Sequence, residues 1–340
     1  MSGLHQIRVL TITSLVLAML PASRATGQSL SICEIQSETV DGDVSVYDGD
    51  IINCDGGICV GKYAGYRPRI ILHDPEQPDE WGGIQVKDWT NGDLFDNVEL
   101  GDLVTLTNVY VEEFRNTTIL QWDDYYDAGF AITSQDNPLP EPIIVSVSEI
   151  PAPIYEPSDE GWYVQNHEAE RYESMRLIVR DIAVTAMHHG KARDNYNLEN
   201  SQGQSCWAAD YMNEDVGPWD YHPFITTEQH FCSLAGVFEQ YTLLEDHWDY
   251  YQLVTLTTPD LAICGDGDSD GDVDLDDLPR FVECLVGPLC DDAPAGCDPP
   301  AWTWPPTELP IQHCLMMDLN YDGDVDVGDF AGLQAILGDP

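Results

Sequence analysis

The chain has 340 residues, of which 61 are Asp or Glu and 13 are Lys or Arg, giving a formal net charge of −48 at pH 7. So few cations assemble no basic face, and charge neutralisation supplies most non-specific nucleic-acid affinity, so the composition speaks against a nucleic-acid partner and an anionic membrane surface. It points instead to cations, neutral glycans and other proteins. In chain order, Arg8 precedes an apolar run from Val9 to Leu20, followed by small residues at Ala22, Ser23, Ala25 and Gly27. This is the pattern of a secretory signal peptide over 1–27, cleaved after Ala25 or Gly27. The run is too short to span a bilayer and nothing later is apolar enough, so no membrane insertion is expected. Leu30-Ser-Ile-Cys33 fails as a lipid-attachment box, because Ile32 stands where a small residue is needed.

Residues 28–150 read as β. Arg69 to Leu72, Gly83 to Asp88 and Gly101 to Val111 are β-rich runs, separated by turn signals at Asp55-Gly-Gly57, Asn91-Gly92-Asp93 and Arg115-Asn116. A proline-rich stretch, Asn137 to Pro142 and Pro151 to Pro153, reads as the connection to a second β region over 151–263. Its runs are Met175 to Thr185, Cys206 to Asp210, Ser233 to Phe238 and Tyr251 to Thr257. The regions look like divergent copies. Gly83-Ile-Gln-Val-Lys-Asp88 parallels Ser205-Cys-Trp-Ala-Ala-Asp210, and Asn108-Val-Tyr110 parallels Gly236-Val-Phe238. This order resembles the tandem OB-like barrels of secreted bacterial proteins, some of which accompany extracellular nuclease domains; the nuclease domain itself has no counterpart here.

Residues 264–340 contain two Asp-rich loops of matching phase. The first offers Asp266, Asp268, Asp270, Gly271, Asp272 and Asp277; the second offers Asp318, Asn320, Asp322, Gly323, Asp324 and Asp329. Oxygen ligands at positions 1, 3, 5 and 12, a backbone carbonyl at 7 and Gly at 6 follow the logic of a twelve-residue calcium loop. Two calcium ions are therefore expected, with those ten Asp and Asn residues as ligands. After each loop a short apolar-periodic run suits an exit helix: Leu278, Phe281, Val282 and Leu285, then Phe330, Leu333, Ile336 and Leu337. Phe281 and Leu285 are expected to pack on Phe330, Leu333 and Leu337. Half an EF-hand, duplicated, resembles the type I dockerin repeat, and the resemblance implies a cohesin-like or other surface protein as partner. Loop positions 10 and 11, often Ser-Thr in dockerins, are here Leu275-Asp276 and Val327-Gly328, which departs from the ordinary cohesin-recognition pattern.

Ten Cys in an exported chain favour disulfides. Cys54 and Cys59 flank a turn and could staple a hairpin; Cys206 and Cys232 fall in strand-rich sequence; Cys284, Cys290, Cys297 and Cys314 bracket the segment between the calcium loops. Zinc is the rival for that last cluster, but paired CxxC units are lacking. No nucleophile elbow, Walker or dinucleotide motif occurs. His188-His189 reads as an exposed loop beside Gly190, and among the many aromatic residues a minority on an exposed barrel face could stack on sugar rings. The fold expected is mainly β, two OB-like barrels followed by a small helical calcium module. The function expected is a secreted or cell-surface, non-enzymatic protein attached to others through that module. The alternatives are a glycoside-hydrolase-type component of polysaccharide degradation and, disfavoured by charge, a nuclease-linked nucleic-acid-binding OB protein.

Overall fold

In the computed structural model the described residues are 29–285 and 314–337, apart from 38, 41–42, 66, 91, 159, 189–194, 217–219, 244, 246 and 322–323. The first β region contains β1 (Ile51–Tyr63), β2 (Arg69–His73), β3 (Gly83–Asp88), β4 (Leu103–Phe114), β5 (Thr117–Trp122) and β6 (Gly129–Ser134). The second contains a hairpin, β7 (Ile154–Glu156) and β8 (Gly161–Tyr163), then β9 (Arg176–Met187), β10 (Tyr196–Asn200), β11 (Ser205–Ala209), β12 (His230–Leu243), β13 (Trp248–Val254) and β14 (Leu261–Ile263).

Each region closes on itself in the same way. β1 pairs with β2, β2 with β3, β3 in parallel with β5, β5 with β4, and β4 back to β1. β9 pairs with β10, β10 with β11, β11 in parallel with β13, β13 with β12, and β12 back to β9. Counting strands one to five in each region, both give the cyclic order 1-2-3-5-4-1, which is OB-barrel topology. Closure needs sharply bent strands, and β4 shows how the sequence bends one. Val104 and Leu106 face the core, then Asn108 takes a left-handed φ of 52° and the inward phase slips to Val109 and Val111. Asn tolerates that conformation better than a branched residue, and Asn53 Oδ1 accepts its amide at 3.0 Å.

Two cores fill the barrels: Ile70, Leu72, Ile84, Val86 and Leu120 among others in the first, Leu177, Val179, Leu198, Phe231 and Leu253 in the second. A third core lies between them, where Ile58, Val60 and Ile71 meet Ala209, Tyr211, Met212, Val237, Val254 and Leu256. Backbone bonds also cross the seam, from Trp81 N to Arg171 O at 2.6 Å and from Thr242 N to Arg115 O at 2.8 Å.

Past β14 come α3 (Leu278–Cys284) and the last helix, α4 (Val327–Leu337); the shorter α1 (Ile32–Ser37) and α2 (Asp93–Asn97) belong to the first barrel. The exit helices share a small core of Phe281, Cys284, Cys314, Met316, Met317, Val325 and Leu333, with Leu337 at its margin. Phe281 and Phe330 rings lie 5.5 Å apart. Leu285 departs from expectation: α3 stops at Cys284, the chain turns extended, and Leu285 is 45% exposed. The Cys284–Cys314 disulfide pins the helix at that point.

The cysteine expectations need correction. Cys54 and Cys59 staple no hairpin, because both lie on the single strand β1, buried and unbridged. Five residues of extended chain separate Cα atoms by roughly 16 Å, beyond any disulfide. Cys206 is a buried, unbridged core residue, and Cys232 is bonded to Cys264. Cys290 and Cys297 lie outside the described residues. No helix among the described residues is long and apolar enough to cross a membrane.

Candidate functional site

Both Asp-rich loops are wound around their twelfth residue. In the first, Asp277 Oδ1 accepts the amides of Gly267 and Asp268 at 2.6 and 3.3 Å, and Oδ2 accepts that of Asp274 at 2.6 Å. In the second, Asp329 Oδ1 accepts Leu319 and Asn320 at 2.7 and 3.1 Å, and Oδ2 accepts Asp326 at 2.8 Å. The same three amides, at loop positions 2, 3 and 9, are held in both copies. Asp is short enough to be clamped this way by its own loop. Gly271, at position 6, has φ 98°, the conformation that turns the first loop sharply.

The carboxylates converge in two groups. Oxygens of Asp266, Asp268 and Asp270 lie within 4.8 Å of one another, as do those of Asp324, Asp326 and Asp329. Asp272 and Asp277 stand outside the first group. Asp318 is turned to Arg180, Nη2 to Oδ2 2.6 Å, and Asp322 lies outside the described residues. Asp326, at position 9, was missed from the sequence although its position in the repeat marks it. Crowding shows in the proton affinities: burial, with the Asp277 charge adding to it, pushes Asp266 up to about 6, and the Asp270 charge raises Asp272. An all-oxygen, carboxylate-rich donor set of this kind fits a hard cation such as calcium, which would relieve that repulsion and tie each loop to its exit helix.

OB barrels carry ligands on the outer face of strands two and three. In the first barrel that face is consumed. Arg69, Ile71, Gln85 and Lys87 on β2 and β3 are all buried. Ile71 packs into the core between the barrels, and Gln85 reaches Glu239 at 3.5 Å. A side chain at Gly83 would collide with the Ser174 backbone at 2.3 Å, so glycine is what lets the second barrel approach so closely.

The second barrel keeps an aromatic row on the corresponding face. Trp207 on β11 lies 4.9 Å from Tyr250, 4.9 Å from Trp162 and 4.7 Å from the His188 ring. Trp162, on the hairpin, stacks on Tyr155 at 4.9 Å, and Tyr155 is exposed at the end of the row. His188 is thus a half-buried stacking partner of Trp207, correcting the exposed-loop reading; residues 189–194 lie outside the described residues. The row was not locatable in the sequence, because its members come from a linker hairpin, a barrel loop and two strands.

No family model matches the chain, and no curated protein does. Solved structures match distantly. A murine DNA-binding protein bound with double-stranded DNA is 11% identical, covering 59% of this chain and 88% of its own, with a TM-score of 0.27. Fission yeast Pot1 with single-stranded DNA is 11% identical, covering 61% and 79%, TM-score 0.25. A replication protein A heterotrimer bound to single-stranded DNA is 10% identical, covering 66% and 68%, TM-score 0.21. Likenesses this distant assign no ligand to this chain, and its barrel topology rests on its own strand pairings. All three are DNA complexes, however, and with them the expectation of no nucleic-acid partner falls. That expectation rested on whole-chain charge alone, which leaves out base stacking on aromatic side chains.

Proposed function

We propose that this is an exported binding protein whose paired C-terminal loops each hold a calcium ion and whose second barrel holds a single strand of nucleic acid by stacking on its aromatic row. The calcium reading is carried by the repeated clamp on Asp277 and Asp329 beside converging carboxylate oxygens. The two disulfides support an oxidising compartment. The ligand reading is carried by the outer end of the row, exposed Tyr155 and half-buried Trp162 backed by the buried Trp207, since each base offers a π-face and stacking tolerates any sequence. Most of the remaining surface repels phosphate, so affinity should rise with moderate salt, opposite to the usual counterion-release trend.

Anisotropy of a labelled single strand across a salt series tests this, with Trp162→Ala expected to cost about 1–3 kcal/mol, roughly 5- to 150-fold. Absence of strand binding at any salt sinks the ligand reading. Binding of a neutral oligosaccharide without salt dependence would transfer the row to glycans, the class that the acidity favours. A second reading, attachment to another protein through the calcium module, is favoured by Leu275 and Val327, which stand 69% and 74% exposed at position 10 of the two loops. Calcium-dependent capture of a surface protein, abolished by Leu275→Asp with Val327→Asp, is its expected outcome.

A further inference from the structure

The two loops differ at their opening residue. Asp266 turns its oxygens on the amides of Asp270 and Gly271, at 3.2 and 3.0 Å. Asp318, at the same loop position, sets Oδ2 2.6 Å from Nη2 of Arg180, a residue of strand β9 in the second barrel. The Asp318 side chain is entirely buried and that of Arg180 is 22% exposed. The same guanidinium lies over the Tyr321 ring, 5.6 Å from its centroid. Tyr321 in turn places its hydroxyl 3.5 Å from the sulfurs of both Cys232 and Cys264, which form the disulfide joining β12 to the start of the module. Just upstream, Leu315 is buried against Ile178 and Ala235 of the barrel. The edge of the barrel therefore grips loop positions 1 and 4 together.

A carboxylate without access to water needs a cation beside it. Arg180 supplies one to Asp318, and an ion in the second loop would require the same carboxylate. Two cations on one carboxylate repel each other, and each weakens the other's hold.

We propose that Arg180 and calcium compete for Asp318, so that loading the second loop loosens the latch between the module and the barrel. The proposal rests on the calcium reading of the loops. By linkage the effect is mutual: the docked latch lowers the calcium affinity of the second loop by the factor by which calcium weakens the latch. The first loop, whose opening Asp266 makes no ion pair among the described residues, fills first as calcium rises, and the second acts as the sensor.

Calorimetric titration of the full chain with calcium tests this, in an Asp270→Ala background that silences the first loop. Arg180→Ala should tighten the remaining site roughly 5- to 150-fold, the usual range of such couplings. Arg180→Lys, which keeps the charge, should stay near the unsubstituted affinity. Hydrogen exchange gives a second readout: calcium should speed exchange of the amides of 315–321 in the chain that keeps Arg180 and leave them unchanged in the Arg180→Ala variant. An Arg180→Ala site of equal or weaker affinity overturns the latch, because a gain in affinity is not what mere damage to the fold produces. If the chain with both loops intact takes up no calcium, the reading of the loops itself has failed, and the latch falls with it.

Discussion

Asp277 and Asp329 do their work through backbone amides, each holding three of them with two oxygens. Hydrogen bonds to a charged group contribute about 1.5–3 kcal/mol each, so losing the clamp should open the loop before any ion is considered. Asp277→Ala is expected to lower calcium affinity of the first loop about a hundredfold or more, with Asp277→Asn intermediate; calorimetry reads both. Unchanged affinity in Asp277→Ala would mean the loop is shaped by something else. A different residue-scale effect sits between the barrels. Thr118 donates its hydroxyl to Glu113 at 2.7 Å and its amide to Glu173 at 2.9 Å, while Glu170 accepts the Tyr251 hydroxyl at 2.7 Å. Burial pushes Glu113 from 4.5 up to about 7, and burial, with the charges of Glu170 and Glu113 adding to it, holds Glu173 well above the carboxylate range. These groups keep protons in the folded chain that the unfolded chain has lost, so their contribution to stability is greatest below about pH 4.3 and is lost as pH rises through 7. Glu173→Gln should flatten the decline of Tm with pH in high salt, where surface repulsion is screened. An undiminished slope in that variant would place the pH dependence elsewhere.

At the scale of elements, much of the duplication was legible. The parallel between Gly83–Asp88 and Ser205–Asp210 is that of third strands, and the parallel between Asn108–Tyr110 and Gly236–Phe238 is that of fourth strands. The paired loops were legible too, since their spacing is fixed by local chain geometry. The seam was not. Every residue of β3 is buried, yet its alternation of Ile84 and Val86 with Gln85 and Lys87 reads as a strand with one wet face. Gln85 and Lys87 look solvent-bound in sequence because nothing local says that a second barrel will cover them. Arg69 reaches Gln85 at 2.7 Å, and Lys87 lies 3.0 Å from the Phe114 ring centroid; such pairs cross strands and leave no periodic trace. The hairpin of β7 and β8 was likewise hidden, because its three-residue strands are too short to show alternation. It joins the second barrel through one register pair, Trp162 with Trp248, and through Trp162 N donating to His247 O at 2.8 Å. Its anchoring is therefore largely aromatic stacking, worth about 0.5–1.5 kcal/mol per pair beyond area burial. Trp207→Ala should free the hairpin: its amides are expected to exchange faster while those of β9 and β12 keep their protection. Equal loss in all three would show that Trp207 supports the whole barrel.

For the whole molecule the question is how many cooperative units the barrel cores, the seam and the C-terminal core make. The barrels share a buried seam with Leu256 at 6% exposure, crossed by backbone bonds, whereas the C-terminal module has its own small core. Calcium removal should therefore move one calorimetric transition, that of the module, while the barrels melt together in another. The Cys232–Cys264 bond limits the separation, because it fixes the start of the module to β12 and keeps it near the barrel even when its loops have opened. Leu256→Ala tests the other half of the division. Deleting that side chain leaves a cavity between the barrels and should cost about 2–5 kcal/mol. The loss falls on contacts that join two otherwise complete cores, so it should split the common barrel transition in two and leave calcium uptake unchanged. A single barrel transition merely shifted downward would mean that neither barrel stands without the other and that the seam is part of one core. Two barrel transitions in the unsubstituted chain would mean the reverse, with each barrel folding by itself and the seam forming afterwards.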